Sequence, residues 1–293
     1  MKPTVFIHTN PVQMIGAKMS EYSLRKASRN NEKFDVRILN LVDYPHLTKR
    51  QSETYIRKGA VVTWNNRDLQ SFSLIRFLPP QEMGFQGRAL VLDPDIFAVA
   101  DVWELLNRDM GGKKIVCRLI KSDNGKPYYA TSAMLLDCGQ LPHWDWNKKI
   151  DRLFAHKLDY GDWIFLRDED PNTILELEEE WNHFDTLNEK TKLLHNTERS
   201  TQPWKTGLPV DYNMNYRTAP ARRGFWSWLS PAKKAPVQTE EKYLKHPDSN
   251  QERFCINLMK ECLDNKVFTE DFLKDEMQKQ HVRPDVLDLL QKS

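Results

Sequence analysis

The first forty residues read as strand, helix and strand, and this order constrains the fold more than any other feature. Residues 4–8 form a short apolar run, 14–27 carry apolar residues at helical spacing, and 34–39 alternate between apolar and polar residues as a strand does. Strands joined through a helix lie parallel in one sheet. Ligands of such sheets bind at the carboxyl ends of the strands. The opening therefore predicts an α/β fold with a ligand site at that edge.

The pattern continues along the chain. Helices are predicted over 69–77 and 101–106, and strands over 88–92, 114–119 and 129–136. The last two strands are separated by Asp123, Asn124 and Gly125. Because Asn and Gly tolerate positive φ, this segment predicts a turn and hence a hairpin.

Residues 206–236 interrupt the periodicity, because they combine Pro, Arg and Trp without a regular spacing. Helical periodicity returns after Pro247 and gives three helices up to the C-terminus. We therefore predict three parts, which are a catalytic α/β domain over 1–205, an arm over 206–236 and a small helical segment over 237–293.

Composition restricts the class of protein. The chain has 293 residues, of which 40% are hydrophobic, so a packed core is expected and not a disordered chain. The net charge of +2 gives no general attraction to nucleic acid, and we expect no such partner. No apolar run approaches the roughly 20 residues that span a bilayer, and no signal-peptide pattern precedes the first strand. We therefore expect a cytoplasmic protein. The four cysteines form no C-x-x-C pair, and we expect them to be buried apolar side chains.

Two carboxylates follow the apolar strand at 88–92. Asp93 and Asp95 point to the same side of an extended chain, and Pro94 between them lacks an N–H and so belongs at the end of a strand. Hard oxygen donors on one side suit Mg²⁺ or Mn²⁺. Taken alone, the D-x-D pattern is equally compatible with a polar turn after a strand.

The same segment resembles the signature of family 8 glycosyltransferases, the glycogenin-like and lipopolysaccharide galactosyltransferase-like enzymes. Residues 88–97 and then 101–105 reproduce its apolar strand, D-x-D, apolar pair and short D-x-x-x-L helix. The resemblance implies a GT-A fold, with a mixed, mostly parallel sheet flanked by helices. It also implies that Asp93 and Asp95 hold Mn²⁺, or Mg²⁺, against the diphosphate of a UDP-sugar.

Two further blocks resemble the same family. Arg76, in 71–77, matches the basic residue that reaches the donor from a helix, although it could also be a solvated helix charge. His195 ends the apolar run 192–195 and precedes Pro203 and Trp204, as in the family pattern. The resemblance implies that His195 is the third protein ligand of the metal. Without that context, a His after two leucines is more often a buried core residue.

The sequence departs from the family pattern at several positions. Gln202 stands where the family has Lys before Pro-Trp. Lys205 or Arg199 would therefore have to supply positive charge to the diphosphate, and the sequence does not decide between them. Ala130 and Ser132 replace Asn and Gly in a block that otherwise resembles the family.

Other matches are positional. The resemblance implies nucleoside binding by the polar residues after the first strand, which are His8, Thr9, Asn10 and Gln13. It also implies an acidic or amide residue near the reacting sugar. Asp162 is the candidate and Asp159 the second choice, although either could cap a helix.

The reaction that the resemblance implies is transfer of a hexose from a UDP-sugar, with retention of configuration, to a glycan, lipid-linked or protein acceptor. A divalent cation held by Asp93, Asp95 and His195 would offset charge on the leaving diphosphate. Arg76 would add electrostatic stabilisation. No covalent nucleophile is obvious, so front-face attack by the acceptor hydroxyl is the working hypothesis.

Two interpretations stay open beside this one. Departures such as Gln202 and Ala130 are also compatible with an inactive nucleotide-sugar-binding protein, and a nucleotidyltransferase shares the layout but normally has a Gly-rich loop that is missing here. The basic and aromatic residues of 216–234 suit peripheral contact with the inner face of a membrane, or could clamp the arm onto the main domain.

Overall fold

The N-terminal residues form the predicted strand, helix and strand. The structure is a computed structural model and describes residues 1–121, 127–211 and 242–292. Strand β1 (Thr4–Thr9) leads into helix α1 (Met14–Ala27), and β2 (Asp35–Asn40) returns parallel to β1. All six residues of β1 are buried, as expected for a strand with both faces covered.

The strands assemble mainly into one central sheet. The other strands are β3 (Thr54–Arg57), β4 (Ala60–Thr63), β5 (Arg88–Leu92), β6 (Ile96–Ala98), β7 (Ile115–Ile120), β8 (Tyr128–Asp137), β9 (Ile174–Glu176), β10 (His183–Phe184) and β11 (Leu193–His195). Six of them lie in the order β2-β1-β5-β8-β7-β9. The β1–β2, β1–β5 and β7–β9 pairs are parallel, whereas β8 is antiparallel to both β5 and β7. The antiparallel pairing of β7 and β8 is as predicted, and the predicted turn at 123–125 lies outside the described residues.

Both faces of this sheet are buried. Alternate residues of β1 and β5 enter opposite cores, so that Phe6 and Val91 belong to one and Val5 and Leu90 to the other. Helices pack over the sheet and around it. Together with α1 they are α2 (Pro45–Thr48), α3 (Pro79–Glu82), α4 (Trp103–Leu106), α5 (Trp146–Phe154), α6 (Tyr160–Ile164), α7 (Ser249–Asp264), α8 (Glu270–Gln278) and α9 (Val286–Lys292). The predicted α/β class, with a mixed, mostly parallel sheet and C-terminal helices, is confirmed.

The helix predicted over 69–77 is instead a 3₁₀ helix, Ser71–Phe77, in which every residue is buried. Pro79 and Pro80 follow it and begin α3 at the next turn. The predicted helix at 101–106 is present but shorter, because the Asp101 carboxylate accepts the Trp103 N–H at 2.9 Å and so precedes the first helical turn.

The C-terminal helices pack against α1. Ile15 and Met19 of α1 share a buried cluster with Trp204 and with Cys255 and Met259 of α7. The helical segment therefore covers the outer face of α1, and we keep the division into 1–205, 206–236 and 237–293 as a proposal. The basic, aromatic part of the arm, 216–234, lies outside the described residues. None of the helices in the described part of the chain has the length and apolar character that crossing a bilayer requires.

All four cysteines are buried and free, as predicted. Burial raises the pKa of Cys138 and Cys262 to about 12, and burial also raises the pKa of Cys117 and Cys255. The thiolate is the reactive form of cysteine. We therefore expect the native protein to react with a thiol reagent at about pH 8 at least about a hundredfold more slowly than the unfolded chain, as measured by absorbance. Rapid labelling of the native protein would contradict this placement.

Candidate functional site

The site lies where β5 ends and the chain turns into β6. β11 pairs antiparallel with β6, which places His195 opposite Ile96 and next to Asp95. The Asn196 N–H also donates to the Asp95 carbonyl at 3.1 Å. Helix α1 approaches this turn closely, since a Cβ added at Gly16 would lie 2.7 Å from the Pro94 carbonyl oxygen. The D-x-D turn is thus fixed from two sides by backbone contacts.

Three metal-binding side chains meet here. One ligand atom from each of Asp93, Asp95 and His195 lies within 4.8 Å of the others. His195 Nε2 is 3.4 Å from Asp95 Oδ1, and that buried oxygen makes no hydrogen bond with any described residue. A buried acceptor without a donor is unfavourable unless something else satisfies it. Two carboxylates and an imidazole form a donor set that fits Mn²⁺ or Mg²⁺.

Amide side chains hold two of these ligands in place. Asn182 Oδ1 lies 2.8 Å from His195 Nδ1, and because an amide oxygen only accepts, Nδ1 donates and leaves the lone pair of Nε2 toward Asp95. Asn182 in turn donates to Ser132 Oγ at 3.0 Å. Gln202 Nε2 donates to Asp95 Oδ2 at 3.1 Å. Such contacts fix the orientation and tautomer of ligands before a metal binds.

Asp93 is held by Arg76 and lies against His8. Arg76 donates to both of its carboxylate oxygens at 2.7 and 2.9 Å and also donates to Thr131 at 2.8 Å. His8 Nε2 lies 2.6 Å from Asp93 Oδ1, yet neither ring nitrogen makes a hydrogen bond of regular geometry with a described residue. Burial acts to raise the pKa of Asp93, but Arg76 and then His8 outweigh it and hold that pKa well below its usual range. Burial lowers the pKa of His8, which favours the neutral ring.

A cavity of about 460 Å³ opens onto these residues. Of the predicted site residues, it is lined by Gln13, Arg76, Asp93, Asp95, His195 and Arg199. Further polar and aromatic residues complete the wall, among them Arg57, Lys58, Phe72, Tyr128, Thr131, Tyr160, Phe165, Phe184 and Gln202. The cavity joins the metal-binding side chains to a basic and aromatic wall.

Three predicted nucleoside contacts lie elsewhere. His8, Thr9 and Asn10 are fully buried and do not line the cavity. The Asn10 amide donates to the carbonyl oxygens of residues 68 and 69 at 3.2 Å, and its own oxygen accepts the Gln13 N–H at 3.1 Å. Asn10 therefore joins two loops and caps a turn. His8 lies against Asp93, outside the cavity lining.

Lys205 and Asp162 are also placed outside the cavity. The Lys205 side chain is fully buried in an ion pair with Asp211 and lies against the Tyr243 ring. Asp162 is 48% exposed and pairs with Arg167 at 3.1 Å. Neither lines the cavity, and the donor contact of Lys205 and the catalytic role of Asp162 stay predictions. The second choice, Asp159, caps α6.

The β3–β4 hairpin, which brings Arg57 and Lys58 to the cavity, was not predicted from the sequence. A signal was present, because Thr54–Arg57 and Ala60–Thr63 are rich in β-branched residues and flank a Lys-Gly pair. The role of Asn182 was also missed. Nothing in a single sequence shows that its amide would meet His195, thirteen residues later.

No family model and no curated protein matches the sequence. Solved structures that are similar to the chain include three glycosyltransferases. GlyE of Streptococcus pneumoniae is 16% identical, with 69% of this chain and 56% of that chain covered and a TM-score of 0.49. The galactosyltransferase LgtC is 11% identical, with 69% and 89% covered and a TM-score of 0.49. Mouse xyloside xylosyltransferase 1 is 14% identical, with 67% and 98% covered and a TM-score of 0.44.

The chain spans about half the length of GlyE and of the bifunctional glycosyltransferase WbbM, at 56% and 47%. At these identities and TM-scores, the similarity to solved structures does not support a conclusion about the reaction. The activity, substrates and partners of this protein are therefore inferred below from its own site.

Proposed function

We propose that the chain is a metal-dependent glycosyltransferase of the GT-A type, which moves a hexose from a UDP-sugar to a glycan, lipid-linked or protein acceptor. The observation that carries this proposal is the buried Asp95 Oδ1, which has no hydrogen-bond donor among the described residues and lies beside His195 and Asp93 at the wall of a cavity. Asp93, Asp95 and His195 would hold Mn²⁺ or Mg²⁺, which would offset negative charge on the leaving diphosphate.

The protein's own cations would act on the same charge. Arg76 is fixed by Asp93 and Thr131 and lines the cavity, so its guanidinium is oriented before a ligand binds. Arg199 lines the cavity as well, whereas the Lys205 ammonium is buried against Asp211. Arg199 is therefore the residue that we propose in place of the family's Lys.

We propose that the reaction retains configuration and forms no covalent intermediate. Among the described residues that line it, the only carboxylates are Asp93 and Asp95, and both belong to the proposed metal site. A carboxylate nucleophile would need a third acidic group near the sugar. Front-face attack by the acceptor hydroxyl is the mechanism that these residues favour.

The Arg199→Ala variant is expected to bind UDP about tenfold to a hundredfold more weakly, which is the loss expected for one charge-assisted hydrogen bond. Titration calorimetry in the presence of Mn²⁺ measures this affinity. Lys205→Met is the matched control and should bind UDP as the wild type does. The reverse result would return the donor contact to Lys205.

Release of UDP from a panel of UDP-sugars, with Mn²⁺ or with EDTA, tests the reaction itself. Metal-dependent release supports the proposal and identifies the donor. The alternative is a nucleotide-sugar-binding protein, which the Gln202 amide on Asp95 favours because it occupies one carboxylate oxygen. That alternative predicts UDP binding without release from any donor, and absence of UDP binding would exclude both.

A further inference from the structure

The Gln202 amide holds one carboxylate of the candidate metal site. Its Nε2 donates to Asp95 Oδ2 at 3.1 Å, and its Oε1 accepts the Gln13 amide N–H at 3.2 Å. Because a carboxylate only accepts, both contacts require the same orientation of the Gln202 amide. The other oxygen, Asp95 Oδ1, lies 3.4 Å from His195 Nε2. The position of Gln202 therefore decides how Asp95 presents Oδ1 to a metal.

The backbone around Gln202 has little regular structure of its own. Gln202 directly precedes a single turn of 3₁₀ helix, Pro203–Lys205, and its carbonyl accepts the Lys205 N–H at 3.0 Å. A 3₁₀ turn of three residues has few internal hydrogen bonds, and their geometry is poorer than in an α-helix. The place of this turn, and with it the reach of the Gln202 side chain to Asp95, therefore depends on contacts from other segments.

Arg283, in the C-terminal segment, makes such contacts with two successive carbonyl groups of the turn. Its backbone N–H donates to the Trp204 carbonyl at 2.8 Å, and its guanidinium donates to the Pro203 carbonyl at 3.3 Å. Arg283 lies between α8 and α9 and precedes Pro284. Because a residue before proline disfavours helical backbone, its N–H is available for a partner elsewhere.

The Arg283 side chain is itself held in one orientation. It is only 11% exposed, and the Asp285 carboxylate accepts its Nε at 2.6 Å and its Nη2 at 2.9 Å. Such a paired contact fixes the plane of a guanidinium. On the other side of the turn, Trp204 belongs to the buried cluster that α1 shares with α7, and its ring centre lies 5.7 Å from that of Phe97 in β6. The turn is thus held between the C-terminal segment and the strand that follows the D-x-D residues.

We propose that Arg283 is a positioning residue for the metal site, which acts through the 203–205 turn and the Gln202 amide on Asp95. Arg283 does not line the cavity, so it contributes no charge to a ligand there. The C-terminal segment is then part of the working site and not only a cover for α1. This inference rests on the proposed function, since it takes Asp95 to be a metal ligand.

The test measures binding of Mn²⁺ alone to the full chain, by the loss of the electron paramagnetic resonance signal of the free ion. Gln202→Leu should weaken Mn²⁺ binding about tenfold or more, as is typical when a metal ligand loses the residue that orients it. Arg283→Met should weaken it about fivefold, and the double variant should bind as Gln202→Leu does, because Arg283 acts through Gln202. Arg253→Met is the matched control and should bind as the wild type does, since this exposed arginine on α7 donates to Asn250.

Thermal unfolding shows whether each variant is folded at the temperature of the titration. A folded Arg283→Met variant with the Mn²⁺ affinity of the wild type would overturn this inference alone, and so would losses that add fully in the double variant. If Arg283→Met does not fold, Asp285→Ala makes the same test, because it releases the guanidinium at a side chain that is 54% exposed. It should weaken Mn²⁺ binding about threefold in the wild type and not in Gln202→Leu. A wild type that binds no Mn²⁺ would reject the proposed metal site, and this inference with it.

Discussion

Substitution of Asp95 by alanine is expected to lower UDP release about a thousandfold without loss of the fold. Stabilisation of developing charge by a metal contributes several kcal/mol, and about 1.4 kcal/mol corresponds to a factor of ten in rate. Asp95 Oδ1 is buried without a hydrogen-bond donor among the described residues, so its removal relieves an unfavourable group. The measurement is UDP release from the active donor with Mn²⁺, and Asp271→Ala is the matched control because that side chain is 94% exposed.

Thermal unfolding separates loss of the metal from loss of structure. Mn²⁺ should raise the unfolding temperature of the wild type, because a ligand that binds only the folded state stabilises it. The Asp95→Ala variant should unfold at the wild-type temperature or above without Mn²⁺ and should not respond to Mn²⁺. Retention of more than about a tenth of the wild-type rate would mean that Asp95 is not a metal ligand in the reaction.

Asp211→Ala is expected to lower the free energy of unfolding by about 3 kcal/mol, because it leaves the Lys205 ammonium buried without its counter-charge. Lys205 is fully buried, and its carboxylate partner is 29% exposed and also accepts the Tyr243 hydroxyl at 2.5 Å. Lys205→Met should cost less, at about 1 kcal/mol, since the remaining carboxylate can be hydrated and the new side chain is apolar. Denaturant unfolding measures both values.

The double variant and the pH dependence test this explanation. Adding Lys205→Met to the Asp211→Ala variant should restore part of the lost stability. If the losses of the two single variants are equal and simply add in the double variant, the two residues are not a coupled pair. Burial lowers the pKa of Lys205 and Asp211 opposes that effect. A lysine with a lowered folded pKa binds fewer protons in the folded state than in the unfolded state. The deficit of Asp211→Ala should therefore shrink as pH rises toward the unfolded pKa of lysine, about 10.4.

Local patterns in the sequence were sufficient for the elements that build the site. Helix α1 and strand β2 follow from the spacing of their apolar residues, because burial of one face requires a fixed period in each type of structure. Strand β1 follows from a continuous apolar run, because both of its faces are buried. The D-x-D turn after β5 follows from Pro94, which cannot continue a sheet. The family resemblance added the expectation that His195 meets Asp93 and Asp95, and the three side chains do lie together.

The tertiary structure decided which of two similar residues faces the cavity. Arg199 and Lys205 lie six positions apart and both could neutralise a phosphate, so sequence could not choose between them. Lys205 is buried because Asp211 and Tyr243 surround it, and Tyr243 comes from beyond residues 212–241. Asp162 is about half exposed and pairs with its neighbour Arg167, which the sequence did not indicate either. Contacts between distant segments determine whether a charged side chain faces the cavity or the core. The sequence shows which residues are charged, but it does not show those contacts.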